Sequence, residues 1–516
     1  MALFSPADRR AASVISNLVA ANPFLPERIE REREALGDEF DERDPDWNLQ
    51  PAVDEHPNVI RICARAERIL EGAYRRLTRG VATAAAEGKI YEDLLLFVLY
   101  YRYRTGLDEA VSTTPLKKSA RRRIKIYTSF AADVEHYLGV PGLVVPAREE
   151  LAHIFACYFQ IRRAFYNIFD FIRGVSRPAI RLRAMVWQSI FTHDMRRYRR
   201  ALYDRMADYT TLITGPSGTG KELVARAVGL SRYIPFDPEA RMFTEDYAGS
   251  FFAINLAALS PTLIESELFG HRRGSFTGAT DDHPGWLEVC PPLGTVFLDE
   301  IGELDPSIQV KLLRVLETRA FSRLGETGTR EFRGKIIAAT NRDLAHEMRS
   351  AAFREDLYYR LCSDIITTPS LRERLADEPA ELSNLIAFLT LKIVGGEAQA
   401  VAGEVEEWIA KHLGEDYGWP GNVRELEQCV RNVLIRREYR PPSEGTFPRS
   451  TLPSDALAEA VREGALSADE LLERYCTLVY ARTGSFEKAA RHLKLDRRTV
   501  KAKVSEKMLG ELNAGT

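Results

Sequence analysis

Apolar positions follow three successive regimes along this chain. Up to about residue 180 they recur at helical spacing. Val59, Ile62, Cys63, Ala66, Ile69, Leu70 and Ala73 fall on one face at i, i+3, i+4 intervals, which predicts an amphipathic helix. Segments 93–104 and 151–173 are apolar and crowded with Tyr, Phe and Arg, whereas 27–46 is dense in Glu and Arg and reads as a solvated stretch closing at Pro45 and Pro51. A strand-poor, mostly α region is predicted. Near Tyr209 the texture changes to short apolar runs (211–214, 251–254, 295–298, 336–339) alternating with helical patterns such as 306–319. Strands alternating with helices predict βαβ units and a parallel sheet. From 378 to about 437 the pattern is helical again, and Pro441, Pro442, Gly445, Pro448 and Pro453 mark a linker over 441–455 before a short helical segment, 456–516.

A length of 516 residues suggests about three domains. The five spans expected are a helical region 1–180, an α/β core 181–375, a helical lid 376–440, the linker 441–455 and a terminal all-α domain 456–516. Lys plus Arg number 71 and Asp plus Glu 74, a net charge of −3, so a polybasic binder is excluded and any nucleic-acid surface is local. No apolar run approaches the ~18 residues of a membrane span, and the first residues lack the pattern of a signal peptide. Cys63, Cys157, Cys290, Cys362, Cys429 and Cys476 are scattered without a CxxC pair, which indicates neither a zinc site nor a disulfide framework. A cytoplasmic protein without a membrane partner is expected.

Candidate chemistry begins at Gly215, Pro216, Ser217, Gly218, Thr219, Gly220 and Lys221, a GxxxxGK loop between an expected strand and a helix that starts near Glu222. Glycines let backbone N–H groups turn inward around phosphate, the helix N-terminus adds positive potential, and Lys221 reaches the β and γ phosphates. Glu222 stands where such loops usually carry a hydroxyl ligand for magnesium. Downstream, the apolar run at 295–298 ends in Asp299 and Glu300; a strand that ends in acid needs a reason, because an unpaired carboxylate beside a core is costly. Asp299 is read as holding Mg2+ through water and Glu300 as polarising the attacking water. Asn341, after the run 336–339, can hydrogen-bond the γ-phosphate or that water.

The span 185–437 closely resembles the AAA+ domain of bacterial sigma-54-dependent transcription activators through GPSGTGKELVARA, ESELFGHRRGSFTGA, GTVFLDEIGELDPSIQVKLLRVLE, IIAATNRDL, FREDLYYRL, LRER and WPGNVRELEQ in that order. That family usually carries Glu at the position of Glu222. The resemblance implies that Lys221 is the Walker A lysine, Asp299 and Glu300 the Walker B pair, and Asn341 and Arg424 the two sensors. It also implies that Asn255 restrains the catalytic Glu until ATP is sensed, and that Arg354 and Arg360 reach the ATP of a neighbouring subunit in a homo-oligomeric ring, a hexamer in the family. Gly274, Ser275, Phe276, Thr277, Gly278 and Ala279 resemble the family's GAFTGA loop, with Ser for the first Ala, and imply contact with sigma-54 RNA polymerase holoenzyme. Two segments depart from the family: SRYIPFDPEARMFTEDYAGS is longer than the usual connection, and LADEPAELSNLI replaces the usual Asp-Ile continuation after LRER.

At the far end, 485–493, a turn at Lys494-Leu495-Asp496, and 497–506 read as helix, turn, helix, with Asp496 as N-cap. Between Ser485 and Gly510 there are eight Lys/Arg against three Asp/Glu, a local net of +5. Arg497, Arg498, Thr499, Lys501 and Lys503 suit phosphates and base edges of an upstream DNA site. This segment resembles the Fis-type helix-turn-helix that often ends such activators. In the first region no receiver or cofactor motif is found. Its aromatic stretch (Phe155, Tyr158, Phe159, Phe165, Tyr166, Phe169, Phe171) reads as core, the basic run Lys117 to Lys125 as a solvated face, and the region as a regulator by position alone. The expected function is an activator that hydrolyses ATP to remodel the holoenzyme and open promoters. A DNA-binding regulator without remodelling, and an AAA+ motor on another substrate, are the competing readings; the Asp299–Glu300 pair opposes the first and GSFTGA the second.

Overall fold

The computed structural model describes residues 2–19, 21–43, 56–112, 123–245, 250–414, 416–441 and 466–505. These divide into two contact units, Met1–Arg437 and Glu438–Thr516.

At the centre of the first unit lies a five-stranded parallel sheet. Its strands are β1 (Thr211–Thr214), β2 (Phe251–Asn255), β3 (Thr295–Asp299), β4 (Lys335–Thr340) and β5 (Asp364–Thr367), in spatial order β2-β3-β4-β1-β5. All six residues of β4 are buried, as a parallel strand covered on both faces requires. Alternate side chains serve opposite faces. Leu212, Val296, Leu298, Ile336 and Ala338 pack with Ile308, Leu312 and Val315 of the helix Pro306–Thr318. Ile213, Phe297, Ile337 and Ala339 pack with Val224, Ala225 and Val228 of the helix Lys221–Gly229 and with Val186, Trp187 and Ile190 of the helix Arg177–Phe191. The four apolar runs expected as strands are strands; β5 escaped notice because it offers only Ile365 and Ile366, and Ile365 is exposed at the sheet edge.

Residues before 177 are helical: Pro6–Leu18, Pro26–Leu36, Pro57–Thr78, Ala85–Arg102, Arg104–Ser112, Ile126–Leu138 and Arg148–Phe171. On Pro57–Thr78 the expected face is buried at Val59, Ile62, Ala66, Ile69, Leu70 and Ala73. Two expectations need correction. The charged stretch is not uniformly solvated, because Pro26–Leu36 is a helix whose Arg28 and Glu32 form a buried ion pair at 2.6 Å, with the guanidinium also donating to the Leu18 carbonyl. Nor does the packing divide near residue 180. Phe24, Val59, Ala164 and Ile168 belong to the same apolar cluster as the sheet residues Ile213 and Phe297. The long connection after the P-loop helix crosses that boundary too: it forms a hairpin, Phe236–Asp237 paired with Met242–Phe243, and Phe236 joins the core of the N-terminal helices.

The lid is the helices Ala380–Val394, Ala398–His412 and Asn422–Arg436. By length and composition the stretch Ala380–His412, which holds an 18-residue window of mean hydropathy 1.5, would suffice to cross a membrane. It is broken by a 3-10 turn at Gly395–Glu397, where Gly395 has φ 64°. Each 15-residue arm is about 22 Å long, short of a ~30 Å hydrocarbon core. The departure after LRER has a role in this packing. Glu381, fully buried, accepts from Arg374 and from the backbone N–H groups of Val175 (2.6 Å) and Ser176 (2.9 Å), tying the lid to the segment that enters the helix Arg177–Phe191.

In the second unit Ala468–Thr483, Phe486–Leu493 and Arg497–Lys503 are helices closing on Ala489, Ala490 and Val500. A capping box of Ser467 with Glu470 starts the first, and Asp496 caps the third through the Arg498 N–H at 2.8 Å. Most of the expected linker, and residues 506–516 of the terminal domain, lie outside the described residues, as do Lys117, Lys118, Arg121 and Arg122 of the basic run.

Candidate nucleotide site and the loops around it

The P-loop leaves the C-terminal end of β1, which lies between β4 and the edge strand β5. Gly215, Gly218 and Gly220 have φ of 138°, 79° and 91°. A Cβ on Gly215 would lie 2.2 Å from Thr368 Oγ1, and one on Gly218 would lie 2.1 Å from the Gly421 carbonyl oxygen. The loop is thus held between the end of β5 and the lid. Thr219 donates to the Pro216 carbonyl (2.8 Å) and shares a hydrogen bond with the Thr368 hydroxyl (2.7 Å). From the lid, Asn422 Nδ2 donates to the Ser217 carbonyl (2.8 Å), Arg424 N–H to the Gly218 carbonyl (3.2 Å), and Arg424 Nη1 to Ser217 Oγ (3.3 Å).

Lys221 opens the helix Lys221–Gly229, and its ammonium donates to the carbonyls of Gly215 (3.0 Å) and Pro216 (3.3 Å). Burial pulls its pKa below the ordinary lysine value, while Glu300 and Asp299 push it back up. Glu222 faces outward and pairs with Arg226 one turn on, at 2.7 Å.

Asp299 ends β3. Burial and the adjacent Glu300 raise its carboxyl above the usual range, and Lys221 opposes the shift. Glu300 sits in the left-handed region (φ 56°, ψ 53°), its N–H donating to Asp299 Oδ1 (3.1 Å) and its carboxylate accepting the Asn341 N–H (3.2 Å). Two carboxylates side by side, one of them half-buried with a raised pKa, form an all-oxygen donor set that fits a hard divalent cation. Asn341 therefore meets Glu300 through its backbone. Asn255 does not: its carboxamide oxygen accepts the Ala257 N–H at 3.0 Å and caps the turn Leu256–Ala258. Local side-chain to backbone bonding of this kind is the ordinary preference of Asn at a strand end.

Arg354 is the N-cap of the helix Glu355–Leu361, and Arg360 lies in its last turn. Arg354 forms a two-pronged bond with Asp356 (3.0 and 2.6 Å), and Arg360 lies 3.5 Å from Glu317. Both side chains are about half exposed or more, at 46% and 57%. Sequence reasoning missed the residues that position these groups. Thr368 follows the weakly apolar β5. Gln309, fully buried, accepts the Arg354 N–H (2.9 Å) and donates to the Leu304 and Ala352 carbonyls. Asn422 was within reach, being two residues before Arg424 in the same motif.

The GSFTGA loop stands on a short bridge between His271 and His283. The Gly274 N–H donates to the Ala279 carbonyl (2.8 Å), and Gly274 and Gly278 have φ of 79° and 106°. Thr277 is exposed, and the Phe276 ring rests edge-on against His271 with centroids 5.0 Å apart. Arg272 and Asp282 pair at the base, at 2.5 Å. In the separate C-terminal unit Arg498, Thr499 and Lys501 are exposed, whereas Arg497 meets Glu487 (3.2 Å) and Lys503 meets Asp469 (2.8 Å).

A parallel sheet in this strand order, with a lid bonded to the P-loop and acid at the end of β3, defines an AAA+ P-loop ATPase module. Residues 190–367 match the family described as Sigma-54 interaction domain. A Nif-specific regulatory protein of Azotobacter vinelandii is 44% identical over 243 residues, 47% of this chain and 42% of that protein. The transcriptional regulatory protein ZraR of Klebsiella oxytoca is 39% identical over 311 residues (58% of this chain, 64% of that protein), and its Escherichia coli (strain K12) counterpart 38% over 309 (58% and 64%). The matched stretch thus spans less than two thirds of each of these relatives. The central region of the chain, residues 190–367, is thus a Sigma-54 interaction domain by similarity.

Proposed function

We propose that this chain is an ATP-dependent transcription activator of sigma-54 holoenzyme. The carrying observation is one connected arrangement: Lys221, Asp299, Glu300 and Asn341 lie at the C-terminal ends of neighbouring parallel strands, the edge at which open α/β sheets bind ligands. ATP is the substrate. The P-loop N–H groups and Lys221 take its phosphates, Arg424 adds charge from the lid, and Glu300, oriented by the Asn341 N–H, orients and polarises the attacking water. Mg2+, held by Asp299, would supply neutralisation of phosphate charge. Arg354 and Arg360, exposed on this protomer, complete the site of a neighbour in a homo-oligomeric ring, a hexamer, and stabilise transition-state charge there. Thr277 at the exposed tip, with Phe276 beside it, engages the sigma-54 holoenzyme. Arg498, Thr499 and Lys501, joined by Arg497 and Lys503 once released from their carboxylates, bind upstream DNA. The reading places the protein in the cytoplasm with the polymerase.

Two substitutions test it. Lys221→Ala removes a charged partner of phosphate and should cost about 3 kcal/mol, roughly a hundredfold in ATP affinity. Thr277→Ala should leave turnover near wild type and abolish open-complex formation on a sigma-54 promoter. Normal promoter opening by the Thr277 variant would overturn the assignment of the loop.

A further inference from the structure

The far end of the P-loop helix is gripped by the N-terminal helical region. Gln160, Arg163 and Asn167 form a buried polar stripe along one face of the helix Arg148–Phe171, at 1%, 1% and 6% exposure. Gln160 Nε2 donates to the Ser231 carbonyl (2.9 Å), Asn167 Nδ2 to Ser231 Oγ (3.0 Å), and Arg163 to the Arg232 carbonyl. Ser231 Oγ in turn donates to the Ala227 carbonyl (2.6 Å) in the last turn of the helix Lys221–Gly229. The Tyr198 hydroxyl holds Gln160 Oε1 at 2.8 Å, fixing the orientation of the amide.

The same joint reaches β3. Arg232, half-buried, donates to the carbonyls of Pro292 and Gly294, immediately before the strand that carries Asp299 at its other end. Thr295 Oγ1 lies 3.4 Å from the Gly229 carbonyl. A nine-residue helix is a rod about 13 Å long and a five-residue strand one of about 17 Å. Clamping their near ends together sets where Lys221 and Asp299 arrive at the opposite ends. The hairpin that follows keeps the clamp closed. Phe236 packs against Tyr127 and Phe155 (4.8 and 4.9 Å between centroids), Phe243 stacks on Phe159 (4.0 Å), and the Tyr233 hydroxyl bonds His153 (2.8 Å).

We infer that Gln160, Asn167 and Arg163 are positioning residues for the nucleotide site, so that the N-terminal region sets ATP affinity through the junction 229–232. The connection that is longer here than in the family is the arm that fastens that junction. This inference rests on the ATPase reading above. Substitutions along such a mechanical link shift binding by about 0.5–2 kcal/mol, a factor of roughly two to thirty.

The test uses the full chain carrying Gln160→Met and Asn167→Leu, which keep volume and remove the donors. Binding of a fluorescent ATP analogue with magnesium, steady-state kinetics and amide exchange over 222–233 are measured. The expected result is faster exchange confined to the junction, an analogue Kd raised about fivefold, and KM rising with it while kcat changes less than about twofold. Ser231→Ala, too small a change to unfold the domain, should move Kd in the same direction by a smaller factor. Exchange that shows an opened junction with Kd unaltered overturns the inference, and so does an unaltered Kd in Ser231→Ala should the double variant not fold. Failure of the wild-type chain to bind the analogue would instead sink the ATPase reading on which it rests.

Discussion

Two glycine-rich loops, one leaving β1 and the other joining the helices Pro261–Phe269 and Trp286–Val289, use their glycines for opposite needs. In the P-loop a side chain has no room: a Cβ on Gly215 or Gly218 would run into Thr368 or the Gly421 carbonyl. In the GSFTGA loop a Cβ on Gly274 or Gly278 would meet nothing within 4 Å. The first set lets backbone and lid approach closely, so that hydrogen bonds from Asn422 and Arg424 reach the loop. The second leaves the chain free to turn beside an exposed threonine. Composition alone does not separate the two cases. One loop is packed against its neighbours, and the other stands in open space.

Gly218→Ala should produce the largest effect that separates them. The added methyl meets a backbone carbonyl that cannot swing aside, at a φ that costs a further 1 kcal/mol or so. ATP binding should be lost in titration calorimetry, and the lid should become more open to proteolysis. A variant that binds ATP normally would erase the distinction between the loops.

Asp299→Asn comes next. It should abolish hydrolysis and raise the melting temperature. The folded protein holds the Asp299 proton more tightly than the unfolded chain does, so ionisation costs stability at neutral pH, and the cost fades as pH falls through the raised value. The melting curves of the variant and wild type should therefore converge in acid and separate above it. Parallel curves at every pH would mean that the carboxylate is not held at a cost.

Gly274→Ala should be milder. Its strain is that of a left-handed residue in open space, about 1 kcal/mol, and it falls on the loop alone. Turnover should remain and promoter opening decline, as read in a transcription assay against ATPase rate.

The smallest change is Ser275→Ala. Ser275 Oγ is buried without a hydrogen-bond partner among the described residues, so its loss should be neutral or stabilise by up to about 1 kcal/mol in thermal denaturation.

The placement of the candidate nucleotide-site residues was legible because their motifs are contiguous. GPSGTGK, FLDE and TN each carry their own strand end, and every one of these residues lies at the edge where the sheet delivers it. That Asn255 caps its own turn was hidden, since the resemblance pointed to Glu300 while an Asn side chain also has a local backbone partner. The burial of Arg28 was equally hidden, because an i,i+4 ion pair reads as surface until the tertiary environment covers it. The helix-turn-helix pattern was legible in its cap and its small residues, as contacts between near neighbours in sequence usually are.

By itself the chain determined four of the five sheet strands, the glycine-rich GPSGTGK loop, the acid pair and the turn that carries the exposed Thr277, all of which depend on spacing within a few residues. Only the tertiary structure decided that the N-terminal helices share a core with the ATPase, that Glu381 ties the lid to residues 175 and 176, and that the overlong connection is an aromatic arm. The hydrogen bonds that make such junctions join residues as far as 71 and 206 positions apart. A polar group such as Gln160 or Glu381 carries no mark of its distant partner, and its burial becomes affordable only once folding brings the matching donor or acceptor to it.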